Sequence, residues 1–184
     1  MLVYGDSLSA AYGLDIKEGW VALLENKLAK THPHWQIINL SISGETTAGG
    51  LSRLPRALEK YQPDLVLLEL GANDGLRGTP LKPFKDNLDR MLALLQKQKI
   101  KVIMFEMQIP PNYGSAYTRR FTQTFHTLGK KYQVPVIPFF LKGVAGVESL
   151  NQADGIHPTA EAQPKLLNNV WPYLKPAMTA RMSP

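Results

Sequence analysis

The sequence predicts an α/β fold, a three-layer α/β/α sandwich around a five-stranded parallel sheet in the order 2-1-3-4-5, and three observations carry that expectation. Short β-branched or leucine-rich runs alternate with segments of helical period, the pattern of successive βαβ units. The runs that read as strands lead into polar, glycine-bearing loops, as strands do at the ligand-binding edge of an open sheet. The chain has 184 residues, 44% hydrophobic and 20% charged, a balance that suits one core, so residues 1–184 are expected to form a single domain. Five parallel strands with right-handed crossovers most simply take the doubly wound order, in which the first and third strands flank the point where the winding reverses.

The elements follow in order along the chain. The first strand is Leu2 to Gly5, and Trp20, Leu24 and Leu28 then mark one helix face. Gln36 to Leu40 is the second strand, followed by a helix marked by Leu51, Leu54, Leu58 and Tyr61 that Pro55 should kink or restart. Asp64 to Leu70 is the third strand, and Phe84, Leu88, Met91, Leu92 and Leu95 make the clearest helical stripe. Lys101 to Met107 is the fourth strand. Tyr117, Phe121, Phe125, Leu128 and Tyr132 recur at helical spacing before the fifth, Val134 to Phe139. Leu167, Val170, Trp171 and Leu174 close the chain as a last helix. These aromatics and methionines read as core.

Composition excludes several chemistries. Zero cysteine removes disulfides, a thiolate nucleophile, iron–sulfur clusters and zinc sites with sulfur ligands. The 21 Lys and Arg exceed the 15 Asp and Glu by +6, but they are scattered, so binding to nucleic acid or an anionic membrane gains little support. No apolar run approaches the ~18 residues that span a bilayer, and no secretory signal pattern opens the chain. Met1-Leu2-Val3-Tyr4 begins directly as a strand, leaving room for an upstream segment removed by processing or cloning.

The polar loops carry the chemistry. The first strand ends in Gly5-Asp6-Ser7-Leu8-Ser9, the second runs into Ser41-Ile42-Ser43-Gly44-Glu45-Thr46, and the third into Gly71-Ala72-Asn73-Asp74-Gly75. A fourth block, Asp154-Gly155-Ile156-His157-Pro158, precedes the last helix. Alone, each is ordinary: a serine after Gly-Asp caps helices, and Gly-Ala-Asn-Asp-Gly is a turn. Together, in order, they meet at one edge of the predicted sheet. A serine hydroxyl needs a base within hydrogen-bond reach, and His157 is the candidate, oriented by Asp154 three residues earlier. The backbone N–H groups of Ser7 and Gly44 and the side-chain amide of Asn73 are the candidate donors to a developing oxyanion. Glycine at 44 permits close approach, and an amide at 73 donates without adding charge.

These blocks resemble the SGNH-hydrolase superfamily, also called GDSL lipases and esterases, whose Ser, Gly, Asn and His match Ser7, Gly44, Asn73 and His157. The likeness continues through Glu18-Gly19-Trp20, Arg53-Leu54-Pro55, Leu68 to Gly71, Gly75 to Gly78, Pro111 to Gly114 and Pro138-Phe139-Phe140. It is closest to the branch with thioesterase, lysophospholipase and arylesterase activity. The first strand departs from it in having only four residues before Gly5. The resemblance implies the SGNH hydrolase fold and a monomeric, cofactor-free and metal-free serine hydrolase working through an acyl-enzyme on acyl thioesters, aryl esters and lysophospholipids. It also implies a periplasmic or secreted location and a loop from Ile109 to Tyr113 that moves over the acyl chain. Leu76, Ile109, Pro110 and Ile156 are the apolar residues expected to line the acyl groove.

Rival readings are a carbohydrate acetylesterase of the same superfamily, a non-catalytic acyl- or ligand-binding module, and a basic nucleic-acid binder. Asp6 is the alternative acid, which the resemblance treats as structural. Glu69 and Glu106 in apolar strands raise a paired-carboxylate glycosidase, but each is expected at an edge, near a strand end, or paired. His32 and His34 read as a solvated loop rather than a metal site, and His126 as structural. The sequence lacks G-x-S-x-G, a phosphate-binding GK[ST] loop and the paired histidines of zinc proteases.

Overall fold

The most apolar runs form the middle of the molecule in the computed structural model, which describes residues 1–179, so the expected 1–184 extent runs past the described residues. β1 (Leu2–Gly5), β3 (Leu65–Glu69) and β4 (Lys101–Phe105) are the interior strands, and all their residues except Lys101 are buried. Strands covered on both faces by helices need continuous rather than alternating hydrophobicity, and Leu-Val-Leu-Leu is such a run. β2 (Ile38–Asn39) and β5 (Val136–Ile137) form the edges, and all four pairings are parallel in the order β2-β1-β3-β4-β5. This is the predicted topology. It puts the ends of β1 and β3 side by side, with Gly5 in register with Glu69.

Helices α1 (Trp20–Thr31) and α6 (Gln163–Thr179) pack on each other. α2 (Thr47–Tyr61), α4 (Leu81–Lys97) and α5 (Ser115–Tyr132) pack in sequence, α4 between the other two. The stripes read from the sequence supply the buried residues Leu24 and Leu28, Leu54 and Leu58, Phe84 to Leu95, Phe121 to Leu128, Val170 and Leu174, while Leu51 and Tyr61 of the second stripe are only half-buried. Each such side chain contributes on the order of 1.5–3 kcal/mol by leaving water. Phe84, Phe121 and Phe125 stack within 4.7–5.7 Å of one another, and Tyr117, Tyr132, Leu167 and Trp171 are half-buried at its margins.

Four elements differ from expectation. The edge strands are short: two residues each instead of five and six. β5 is bounded by Pro135 and Pro138, and proline has no N–H for a ladder. From β2 onward alternate N–H groups bond β1, from Ile38 within it to Met1 and, past its end, from Leu40 to Val3 and Ile42 to Gly5, carrying the chain toward Gly44. α2 passes through Pro55 without a restart, because its buried Leu54 and Leu58 hold both halves against the core. The stretch after β3 is a short helix, α3 (Ala72–Leu76), rather than a loop. Gly71 turns the chain into it at φ +125°, where a Cβ would stand 2.9 Å from the Phe84 ring.

Candidate active site

Three segments converge where β1 and β3 end. Immediately after Gly5, Asp6 forms a side-chain turn in which its Oδ1 accepts the Leu8 N–H at 2.9 Å, while its carbonyl accepts Ser9 and Ala10 N–H. Ser7 stands at the crest of that turn. Its Oγ lies 2.9 Å from His157 Nε2, across 150 residues of sequence. On the far side of the ring, His157 Nδ1 lies 2.6 Å from Asp154 Oδ2. An ionised carboxylate only accepts, so the ring proton is assigned to Nδ1, and the Nε2 lone pair faces the Ser7 hydroxyl.

The loop that carries the histidine is pinned from several directions. Asp154 Oδ1 accepts the N–H groups of Ile156 at 2.9 Å and His157 at 3.0 Å. The His157 N–H, then the imidazole, then the Ile156 N–H hold the Asp154 carboxyl down at about 2. Gln152 bonds its own N–H to the His157 carbonyl and donates its amide to the carbonyls of Tyr12 and Pro158. It thus ties the histidine loop to the Ser7 turn, and Gly13 leaves the room it needs, since a Cβ there would overlap its amide. Tyr12 also lays its ring 4.3 Å from the His157 imidazole, centre to centre. The sequence reading missed both Gln152 and Tyr12. Neither belongs to a spaced block, and an exposed tyrosine or a loop glutamine carries no signal until the fold brings the turns together.

Gly44 sits at φ +80°, a left-handed conformation that glycine adopts without cost. Its carbonyl accepts from Arg77 at 3.2 Å, and it stands outside the residues lining the cavity described below. Asn73, on α3, donates Nδ2 to the Glu45 carbonyl at 2.8 Å and makes a longer contact of 3.4 Å with Asp6 Oδ2. One of its N–H bonds is therefore committed to holding the Gly44 loop, and the other is only weakly engaged.

Ser7, Asn73 and His157 open into a cavity of about 560 Å³. Leu76, Ile109, Pro110 and Ile156 all line it, and Met107, Phe139, Leu141 and Ala145 extend its apolar wall. The Pro110 side is braced by a 3-10 turn over Pro111–Tyr113, whose Tyr113 hydroxyl donates to the Leu76 carbonyl at 2.8 Å.

The remaining candidates lie elsewhere. Glu106, just past β4, is buried and bound by His126 Nε2 at 2.5 Å and Gln108 Nε2 at 2.8 Å, so both are paired structural groups. His32 bonds its neighbour Thr31 and packs edge-on against Trp171, and His34 lies beside Trp35. Glu69 ends the interior strand β3 directly beneath the Ser7 turn.

Residues 3–163 match the GDSL-like Lipase/Acylhydrolase family. The chain is 48% identical to Esterase TesA of Pseudomonas aeruginosa over 97% of its own length and 89% of that protein's. It is 37% identical to Thioesterase 1/protease 1/lysophospholipase L1 of Escherichia coli, over 96% and 83% of the two lengths. Among solved structures, a psychrotrophic esterase EstA from Pseudoalteromonas sp., inhibited by monoethylphosphonate, superposes with a TM-score of 0.92 at 41% identity, covering 97% of this chain and 98% of that one. A crystal structure of TesA gives 0.93 at 48%, over 96% and 98%. By both sequence and structure, the chain belongs to the GDSL-like lipase/acylhydrolase family.

Proposed function

We propose that this protein hydrolyses carboxylic esters and thioesters through an acyl-enzyme on Ser7. The observation that carries the proposal is the unbroken hydrogen-bond chain Ser7–His157–Asp154 at the mouth of an apolar cavity. Ser7 Oγ attacks the acyl carbon as His157 Nε2 takes its proton, and Asp154 stabilises the imidazolium. Negative charge on the carbonyl oxygen is met by the Ser7 and Gly44 N–H groups and the weakly engaged Asn73 N–H. Collapse breaks the acyl–oxygen or acyl–sulfur bond, and His157 returns the proton to the departing alcohol or thiol. Water, deprotonated by His157, then attacks the acyl-serine, the acyl–Oγ bond breaks to release the carboxylic acid, and His157 returns the proton to Ser7 Oγ. The named activities of the relatives support acyl thioesters, aryl esters and lysophospholipids as the substrate range.

A chain-length series of aryl esters beside acyl thioesters and a lysophospholipid tests this reading. Each methylene entering the cavity adds up to ~0.8 kcal/mol, so kcat/KM rises with acyl length until the apolar wall is filled. Ile109→Ala or Leu76→Ser should flatten that rise while sparing short substrates. A preference confined to acetyl esters of sugars would instead identify a carbohydrate acetylesterase, and an unchanged profile in both variants would put the acyl chain elsewhere.

Asn73→Ala should lower kcat by about 10²–10³, the usual cost of one oxyanion donor, with KM little changed. Normal single-turnover acylation by this variant would remove Asn73 from the mechanism.

A further inference from the structure

Beneath the Ser7 turn lies a second pair of carboxyl groups that the hydrolytic cycle does not consume. Asp6 and Glu69 are both completely buried. The salt bridges among the described residues are made by other carboxylates. Glu69 Oε2 accepts the Ser9 hydroxyl at 2.8 Å and the Asp6 N–H at 3.3 Å, while Oε1 has no donor at all. Asp6 adjoins that carboxyl directly, since its own backbone N–H is one of the two donors to Glu69 Oε2 and Gly5 before it pairs with Glu69 across the sheet. The fold makes room for this arrangement at Gly5, where a Cβ would stand 2.6 Å from Glu69 Oε2.

Two adjacent carboxylates cannot both stay ionised without water or a cation, and a buried anionic oxygen lacking a donor is costly. We propose that Asp6 and Glu69 share one proton at neutral pH, and that this proton holds the nucleophile turn in register, making Glu69 a positioning residue for Ser7. With the proton on Glu69, its carboxyl donates to Asp6. The Asp6 carboxylate then keeps a single negative charge, which accepts the Leu8 N–H that shapes the turn and faces Asn73 Nδ2. The other ionisable neighbours are Asp74, which raises the cost of charge on Asp6, and His157, which lowers it. Ser9 donates to Glu69 and is itself capped by the Trp20 indole N–H at 3.3 Å. Burial pushes both carboxyl groups upward, and the charge on Asp6 pushes Glu69 further.

The positioning role rests on Ser7 being the nucleophile, but the shared proton does not, so the two fail separately. In carboxyl-13C-labelled wild-type protein, one Glu resonance, assigned to Glu69 through its bonds, should remain protonated at pH 7, far above the ~4.3 of a free glutamate. The folded state then holds a proton that the unfolded chain releases, so stability falls as pH rises above ~4.3 until the pair ionises in the folded protein. The wild type should show a decline of kcat at alkaline pH as the pair loses its proton, and Glu69→Gln, whose amide donates without titrating, should lose that decline, flatten the stability slope and keep kcat within a few-fold. Glu69→Ala, lacking the donor, should lower kcat by roughly ten-fold or more with KM little changed, since misplacing a positioned group by ~1 Å costs up to ~10². An ionised Glu69 at pH 7 in the wild-type titration overturns the shared proton, whatever the variants do. A Glu69→Gln enzyme as impaired as Glu69→Ala overturns the positioning role. If a variant does not fold, the wild-type titration and the alkaline limb of wild-type kcat decide: an Asp6–Glu69 pair that loses its proton with no matching fall in kcat contradicts positioning.

Discussion

Ser7→Ala is expected to fold as the parent does and to lose about 10⁶ in kcat, the loss typical of removing a serine nucleophile. What remains, about 10³–10⁴ over the uncatalysed rate, comes from substrate binding and the oxyanion donors. The fold should tolerate the change because the Ser7 side chain makes one hydrogen bond, to His157, worth about 1 kcal/mol net. The turn around it is built by Asp6 and by backbone bonds instead. Steady-state kinetics and a melting curve on one preparation check this. A folded Ser7→Ala enzyme within ten-fold of the parent would reject Ser7 as the attacking group.

Asp154→Asn should cost about 10⁴ in kcat. Asparagine keeps an oxygen for the Ile156 and His157 N–H groups, so the loop survives. It also presents an N–H where Nδ1 now finds a carboxylate, which favours the tautomer with its lone pair turned away from Ser7, and it removes the charge that steadies the imidazolium. The pH dependence follows from the depressed Asp154 carboxyl. A group ionised down to about 2 contributes stability that is fully present above the ~3.9 of a free aspartate. That contribution is lost as pH falls through about 2. A fall in activity at pH above 4 therefore does not report protonation of Asp154. Acid unfolding curves should show Asp154→Asn less sensitive to pH between about 4 and 2 than the parent. An Asp154→Asn enzyme with more than a tenth of parental kcat would mean that another group orients His157.

Much of this was legible in the chain before its coordinates. Interior strands buried on both faces must be continuously apolar, so the runs Asp64 to Leu70 and Lys101 to Met107 stand out as strands, each observed slightly shorter, and the order of β-runs and helices leaves few topologies. The spacing of Asp154 and His157 was legible for a similar reason: three residues in one turn are short-range geometry. Edge strands were overestimated because residues such as Val134 and Phe139 have strand propensity whether or not a neighbour exists to pair with. α3 was hidden because Ala-Asn-Asp-Gly-Leu has turn composition, and the close approach of Ile109 and Phe121 to Gly75 comes from distant parts of the chain. The Gln152–Tyr12 and Asp6–Glu69 contacts join residues 140 and 63 positions apart. Contacts of that kind have no local pattern, and a glutamate at a strand end looks like any solvated terminus until its burial is seen.

The central claim, that Ser7 carries the covalent intermediate, is tested most directly by peptide mapping after treatment with a fluorophosphonate, a reagent of the class that mimics the tetrahedral intermediate. The structurally similar EstA was captured with monoethylphosphonate. The account predicts one phosphonate per chain, on Ser7, with activity lost in proportion to labelling and no labelling of Ser7→Ala. A phosphonate on Ser9 or Ser43 that tracks the loss of activity, while Ser7 stays unmodified, would contradict it.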